Sequence, residues 1–229
     1  MSEPRVLVII PAYNEEESIA RTVDELTRVA PQYDYIVIND GSKDGTRRIC
    51  KERGFCMLDL PANVGLTYGF QAGIKYAKRK GYDAAIQFDA DGQHRPEFIK
   101  VLVDEMGNTG ADIVIGSRFV TEKKSHSARM IGSRLISAIT RLTTGAKIQD
   151  PTSGMRLYRS TVFGPFCRFN DFGPEPDSIT YLIHKGAKVV ECQVEMRDRI
   201  AGESYLNITR SVEYMLRTCA SILFVQWFR

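Results

Sequence analysis

Ala84-Ala85-Ile86-Gln87-Phe88-Asp89-Ala90-Asp91-Gly92-Gln93 is the stretch on which the reading of this chain turns. Its first five residues are mostly apolar and do not alternate, as expected for a short strand buried on both faces. The strand runs straight into two carboxylates one residue apart. Such a pair repels itself unless a cation compensates it. Carboxylate oxygens suit magnesium or manganese, and Gln93 adds a neutral oxygen ligand. Magnesium keeps coordination positions open for phosphate oxygens, so the triplet points to a diphosphate-bearing ligand. Taken alone, it reads equally well as a solvated acidic turn.

Outward from this stretch the chain repeats one rhythm. Val6-Leu7-Val8-Ile9-Ile10 is a strand-like run ended by Pro11, and Asn14 is placed to cap a helix whose first turn is Glu15-Glu16-Glu17. Tyr35-Ile36-Val37-Ile38 reads as a strand, Asp40-Gly41-Ser42 as a turn, and Thr46 to about Arg53 as a helix. Cys56 to Leu60, Ala84 to Phe88 and Ile113 to Ile115 supply further strands, with helices from about Leu66 to Lys80 and from Pro96 onward. The alternation predicts an α/β fold with a mostly parallel sheet covered by helices on both faces. Ligands of such sheets bind beyond the carboxyl ends of the strands. That rim would carry Tyr13, Asn39, Asp40, Asp89, Asp91 and Arg118. Gly65, Gly69 and Gly73 recur every four residues, which favours a close helix-packing face over a phosphate loop.

Composition narrows the class. The 229 residues carry 31 basic and 28 acidic side chains, a net charge of +3, too balanced for nucleic acid to be the main partner. The five widely spaced cysteines form no CxxC pair and read as free thiols of a reducing compartment. A strand by Val6 leaves no room for a secretory leader, and no run of about 20 apolar residues is present. No GxGxxG follows the first strand, which argues against a dinucleotide-dependent dehydrogenase.

Five spaced segments together resemble the family 2 glycosyltransferases of the GT-A (Rossmann-like) fold, and within them the polyprenyl-phosphate sugar synthases of the dolichyl-phosphate mannose synthase type. They are Val8 to Glu15, Ile38 to Thr46, Asn63 to Leu66, Asp89 to Gln93 and Gly116-Ser117-Arg118. The resemblance runs in order from about Val6 to Ser204. It implies that Pro11, Tyr13 and Glu15 meet the nucleobase and ribose of a nucleotide-sugar, with Val37, Asn39 and Asp40 beside them. Asp89, Ala90, Asp91 and Gln93 would form the site for Mg2+ or Mn2+ and the diphosphate. Arg118 would meet the donor's phosphate or sugar, although an arginine there is also open to a structural ion pair. Arg199 and Ser204 belong to the late motif Arg199-Ile200-Ala201-Gly202-Glu203-Ser204. Two departures stand out: Asn39 replaces a usual aspartate, and Tyr205 replaces a usual lysine.

The second half carries the acceptor. Asp150-Pro151-Thr152-Ser153-Gly154-Met155-Arg156 resembles the family's D-x-T-x-G-x-R stretch, and the same alignment puts Asp177 on an acidic residue near the acceptor, with Glu175 as an extra carboxylate. Met130, Ile131, Leu135, Ile139 and Leu142 form an apolar stripe flanked by Arg129, Arg134 and Arg141, fit either for packing or for an anionic membrane surface. A last helix, from about Leu206 to Phe228, is too short in its apolar part to span a bilayer and too apolar to be left in water. Core packing, the membrane interface or a small membrane-spanning partner protein would each cover it. The division expected is a GT-A domain over residues 1–205, with a donor half to about 118 and an acceptor half from about 119, followed by a docking helix over 206–229.

The function expected is inverting transfer of a sugar from a nucleotide-sugar, a UDP-sugar favoured, to a polyprenyl (undecaprenyl) phosphate, with the enzyme peripheral at the cytoplasmic face of the membrane. Asp91, Asp177, Arg118 and Arg199 would carry the catalysis. Transfer to a saccharide hydroxyl and a non-catalytic nucleotide-sugar-binding subunit are the alternatives, and the oligomeric state, a homo-oligomer included, stays open.

Overall fold

Strand β1 (Val6–Ala12) sends alternate side chains into two separate cores. Val6, Val8, Ile10 and Ala12 face α1 (Ile19–Val29) and α4 (Glu97–Thr109), whereas Leu7 and Ile9 face α3 (Leu66–Lys80) and the helices that follow β6. Both faces being apolar is why the run shows no polar alternation. The computed structural model describes residues 3–121, 128–197 and 208–224.

The remaining strands are β2 (Asp34–Asp40), β3 (Met57–Leu60), β4 (Ala84–Gln87), β5 (Ile113–Ser117), β6 (Arg156–Arg159) and β7 (Val189–Gln193). They form one seven-stranded sheet in the order β3-β2-β1-β4-β6-β5-β7. Every pairing is parallel except those of β6, which runs against both β4 and β5. The predicted mostly parallel sheet is therefore present, with one reversed strand in its middle. The reversal matters for function. Arg156, the first residue of β6, sits opposite Gln87 at the end of β4 and Ile115 near the end of β5. The loop entering β6 thus reaches the same rim at which the parallel strands end.

Helix α2 (Thr46–Glu52) follows β2, and α5 (Ala128–Thr144), α6 (Phe163–Arg168), α7 (Pro176–His184) and α8 (Ile208–Leu223) complete the layers. Phe70, Tyr158, Phe166 and Phe172 form the aromatic centre of the core on the α3 side, Phe166 meeting Phe172 edge to face at 4.8 Å between centroids.

The start of α1 departs from the sequence expectation. The helix begins at Ile19, and Asn14 holds a left-handed backbone (φ 57°) instead of capping it. The reason is a tie to the next loop. Asn14 Oδ1 accepts from the Lys43 amide at 2.8 Å, the Glu15 amide donates to Thr46 Oγ1 at 2.8 Å, and Glu16 accepts from the Gly45 amide at 2.7 Å. These bonds draw residues 14–16 away from helical geometry and fasten the β1 and β2 exits together.

The glycine spacing in α3 is partly a packing face, as the periodicity suggested. A β-carbon at Gly73 would lie 2.5 Å from Ile9 Cγ2, so the helix approaches the sheet only because that position is bare. The substitution Gly73→Val should therefore destabilise the protein by about 1–3 kcal/mol through overpacking. Urea unfolding followed by circular dichroism measures this, and a midpoint equal to that of the parent would refute the close approach.

Candidate active site

Beyond the carboxyl ends of β1, β2, β4 and β5 lies a cavity of about 630 Å3. Of the residues singled out in the sequence, Pro11, Tyr13, Glu15, Asp40, Asp89, Ala90, Asp91, Gln93 and Arg118 all line it. Residues 80 positions apart meet there because parallel strands end at one rim.

The carboxylates are individually accommodated. Asp40 is buried and accepts from the backbone amides of Val64 and Gly65, both at 2.8 Å, and from Asn63 Nδ2 at 3.1 Å. It thus satisfies amides at the start of α3. Asp91 Oδ1 accepts from the Gln93 amide at 3.0 Å, closing a tight turn on itself. Asp89 Oδ1 accepts from Gln87 Nε2 at 3.0 Å, while its amide donates to His94 Nδ1 at 2.9 Å. His94 is buried edge-on against Phe88 and clips this turn shut. A β-carbon at Gly154 would come within 2.7 Å of Asp89 Oδ2, so the β6 loop presses its bare backbone against the carboxylate.

These residues fit a hard divalent cation. Asp89 and Asp91 offer two carboxylates. Gln93 engages the Arg197 carbonyl through its Nε2 at 3.5 Å, which leaves its amide oxygen to serve as a ligand. Gln87 Oε1 is buried in the cavity wall without a hydrogen-bond partner, an acceptor that a cation or its water would satisfy. Among the described residues no group of three or more His, Cys, Asp or Glu could hold a metal by itself. A cation held by Asp89, Asp91 and Gln93 would take its remaining ligands from elsewhere, for which the oxygens of a diphosphate are suited.

Arg118 makes the structural ion pair that its sequence left open, and it does so from the cavity wall. It lines the cavity, and its guanidinium grips Asp150 in a fork, Nε to Oδ2 at 2.8 Å and Nη2 to Oδ1 at 2.9 Å. Asp150 is fully buried, and its amide is held in turn by Glu191 at 2.7 Å. Burial pushes the Glu191 carboxyl up, against the opposing pull of the amides of Gln149 and Asp150. The arginine is thus preset in orientation by the buried carboxylate.

Three expected contacts do not reach the cavity. Val37 is wholly buried in the core on the α1 side, because strand alternation turns it inward. Asn39 is buried too and donates from Nδ2 to Asp59 Oδ1 at 2.7 Å. Asp177 faces α8, where its Oδ2 accepts from Ser221 Oγ at 2.6 Å, and Glu175 lines the cavity in its place. Pro176, at the first position of α7, fixes this geometry by starting the helix between the two acids. Arg199, Ser204 and Tyr205 lie outside the described residues. The chain leading to them is anchored at Arg197, whose amide donates to the Gln93 carbonyl at 3.0 Å and whose guanidinium pairs with Glu25 at 2.8 Å.

The cavity also contains residues not predicted as site residues. Arg156 is entirely buried and donates to the carbonyls of Pro174 and Pro151, joining the loops before α7 and β6. Tyr214, from α8, donates to Glu175. The D-x-T-x-G-x-R stretch signalled Arg156, but nothing local to the sequence signalled Tyr214.

Comparison with known proteins agrees with this geometry. Residues 7–164 match the family described as "Glycosyl transferase family 2". The chain is 30% identical over 226 residues to the polyprenol monophosphomannose synthase of Mycolicibacterium smegmatis, covering 93% of this chain and 85% of that protein. It is 31% identical over 228 residues to the undecaprenyl-phosphate mannosyltransferase of Micrococcus luteus, covering 90% and 93% respectively. The fold is shared with glucosyl-3-phosphoglycerate synthase from Mycobacterium tuberculosis, whose structure contains Mn2+, UDP and glucosyl-3-phosphoglycerate. The TM-score is 0.69 at 16% identity, covering 97% of this chain and 80% of that one.

The Arg118–Asp150 fork yields a direct test. Asp150→Asn removes the charge that holds the arginine, and should lower stability by about 2–3 kcal/mol, the low end for a buried hydrogen-bonded pair. Chemical denaturation reads this out, and a loss below about 0.5 kcal/mol, the range of an ordinary surface pair, would show the fork to be incidental.

Proposed function

The chain belongs to glycosyl transferase family 2, and from that premise we propose that it transfers a sugar from a nucleotide-sugar to the phosphate of a polyprenyl phosphate, inverting the anomeric centre. The observation that carries the acceptor is the outer face of α5 and α8. Ile131, Leu135 and Leu142 on α5 and Leu216 and Phe224 at α8 are exposed, Leu142 by 81%, and Arg134, Arg141 and Arg217 are exposed among them. Apolar side chains interleaved with arginines suit the boundary of an anionic bilayer. The opposite face of α8 contributes Tyr214 to the cavity. A lipid phosphate arriving at that surface would have a short path to the site. The printed names of the two bacterial relatives, both acting on polyprenyl-phosphate chemistry, support the same reading.

In this proposal Pro11, Tyr13, Glu15 and Asp40 cradle the nucleoside, and Arg118, with Arg199 and Ser204, contacts the diphosphate and sugar. Asp89, Asp91 and Gln93 would hold Mg2+ or Mn2+, which when bound supplies charge neutralisation for the departing nucleoside diphosphate. The acceptor phosphate is already anionic and needs no strong base, so the chain's work is to position it in line with the anomeric carbon and to exclude water. Residues 1–205 act as the catalytic unit, donor half to about 118 and acceptor half after it, and residues 206–229, which include α8, form the docking segment. No helix among the described residues is long and apolar enough to cross a membrane. In this reading the enzyme attaches peripherally at the inner face of the cell membrane; the exposed apolar side chains of α5 and α8 support the peripheral contact, and a small membrane-spanning partner would use the same surface. Asp177 is a support for α8 in this account, not an acid–base group.

The test is an assay with undecaprenyl phosphate and radiolabelled UDP-glucose, UDP-N-acetylglucosamine or GDP-mannose, with and without Mn2+. Label should move into the lipid phase with one donor, which also decides between UDP and the alternatives, and EDTA should abolish transfer. Asp91→Ala should reduce turnover by at least about 100-fold, the scale of losing a main electrostatic contact to the leaving group, while the fold persists. Label confined to the aqueous phase with every donor, or unimpaired turnover in Asp91→Ala, would defeat the proposal.

A further inference from the structure

A phosphate acceptor poses an electrostatic problem that the cavity itself displays, because Glu175 contributes a carboxyl group to the wall beside Tyr214 and Arg156. Three elements meet there: β6 through Arg156, the entry to α7 through Glu175, and α8 through Tyr214. Arg156 donates to the Pro174 carbonyl and so fixes the residue directly before Glu175. The Tyr214 hydroxyl donates to Glu175 Oε2, whereas Oε1 makes no hydrogen bond among the described residues. The helix carrying Tyr214 is locked from two further sides. Ser221 Oγ donates to Asp177 at 2.6 Å, and Met215 fills the space over Gly132 of α5.

We propose that Tyr214 is a positioning residue for the transfer: its phenol holds Oε2 of Glu175 so that Oε1 meets the acceptor head group, and the acceptor end is complete only when α8 is seated. This rests on the reading of the acceptor as a lipid phosphate. Burial pushes the Glu175 carboxyl up, and Asp177 adds to that, against the opposing influence of Tyr214, Arg156 and Arg217. When the carboxyl is protonated as the acceptor binds, Oε1 donates to a phosphate oxygen, while Oε2, as the carbonyl oxygen, accepts from Tyr214. The carboxyl then attracts the anion instead of repelling it. Leu216, two residues from Tyr214, lies on the exposed face, so one helix joins the lipid-facing surface to the group that orients the acceptor.

The test is a double-mutant cycle on the full chain, with undecaprenyl phosphate in detergent micelles and donor and acceptor varied separately. Tyr214→Phe should raise the acceptor KM about five- to tenfold, the effect of one hydrogen bond, and leave the donor KM within about twofold of the parent on the same scale. In the Glu175→Ala background the same substitution should add nothing, because the group it positions is gone. Glu175→Gln should keep most of the activity, since an amide can donate where Oε1 does. An unchanged acceptor KM in Tyr214→Phe, equal shifts in both KM values, or losses that multiply in the double variant would each overturn the proposal. Should Tyr214→Phe fail to fold by circular dichroism, Glu175→Ala alone decides: an acceptor KM equal to the parent's overturns it. If the parent glycosylates a saccharide hydroxyl and not the lipid, the acceptor assignment falls, and the same cycle with that acceptor still decides the role of Tyr214.

Discussion

Carboxylates gathered at the ends of parallel strands repel one another, and much of the local structure around this rim answers that repulsion. Asp40 is satisfied by amides at the start of α3, Asp150 by the fork of Arg118, and Asp89 in part by Gln87. Asp91 is bonded within its own turn. Asp89 and Asp91 line the same cavity one residue apart, with the orphaned Gln87 Oε1 in the same wall. Excess negative charge in a walled cavity focuses a field that favours a small, hard cation. The same cation would make an otherwise hostile site attractive to a diphosphate.

The reversed strand β6 is the topological means to this end. An all-parallel sheet would send the chain after β5 to the far edge before returning. Running β6 between β4 and β5 instead delivers residues 150–156 to the active rim. Asp150 then orients Arg118, Gly154 lies against Asp89, and Arg156 binds the loop that carries Glu175. The proposed donor and acceptor ends are thereby joined through one short loop.

Sequence reading recovered most of the residues that share the rim, because strand-end residues follow from strand positions. Apolar runs located β1, β2, β4 and β5, and the residues just beyond them were bound to share a rim. It failed where tertiary contacts override local pattern. Arg156-Leu157-Tyr158-Arg159 has too few apolar residues to announce a buried strand, yet Arg156 is wholly inside, bonded to two carbonyls. Asn14 has the chemistry of a helix cap but is captured by the neighbouring loop. Asp177 was favoured over Glu175 on alignment spacing, and only the packing of α8 shows which acid faces the cavity. Tyr214 lies 39 positions from Glu175, its partner in the cavity wall, so no local pattern could place it there.

The central claim, that Asp89 and Asp91 form the cation and diphosphate corner of the donor site, is tested most directly by crystallography. Crystals grown with Mn2+ and UDP or GDP should show an anomalous manganese peak within about 2–2.5 Å of carboxylate oxygens of this pair, the range for hard divalent cations, with the diphosphate completing the coordination. A manganese peak bound elsewhere, or a nucleotide seated in the cavity with neither carboxylate near its phosphates or the metal, would contradict the account.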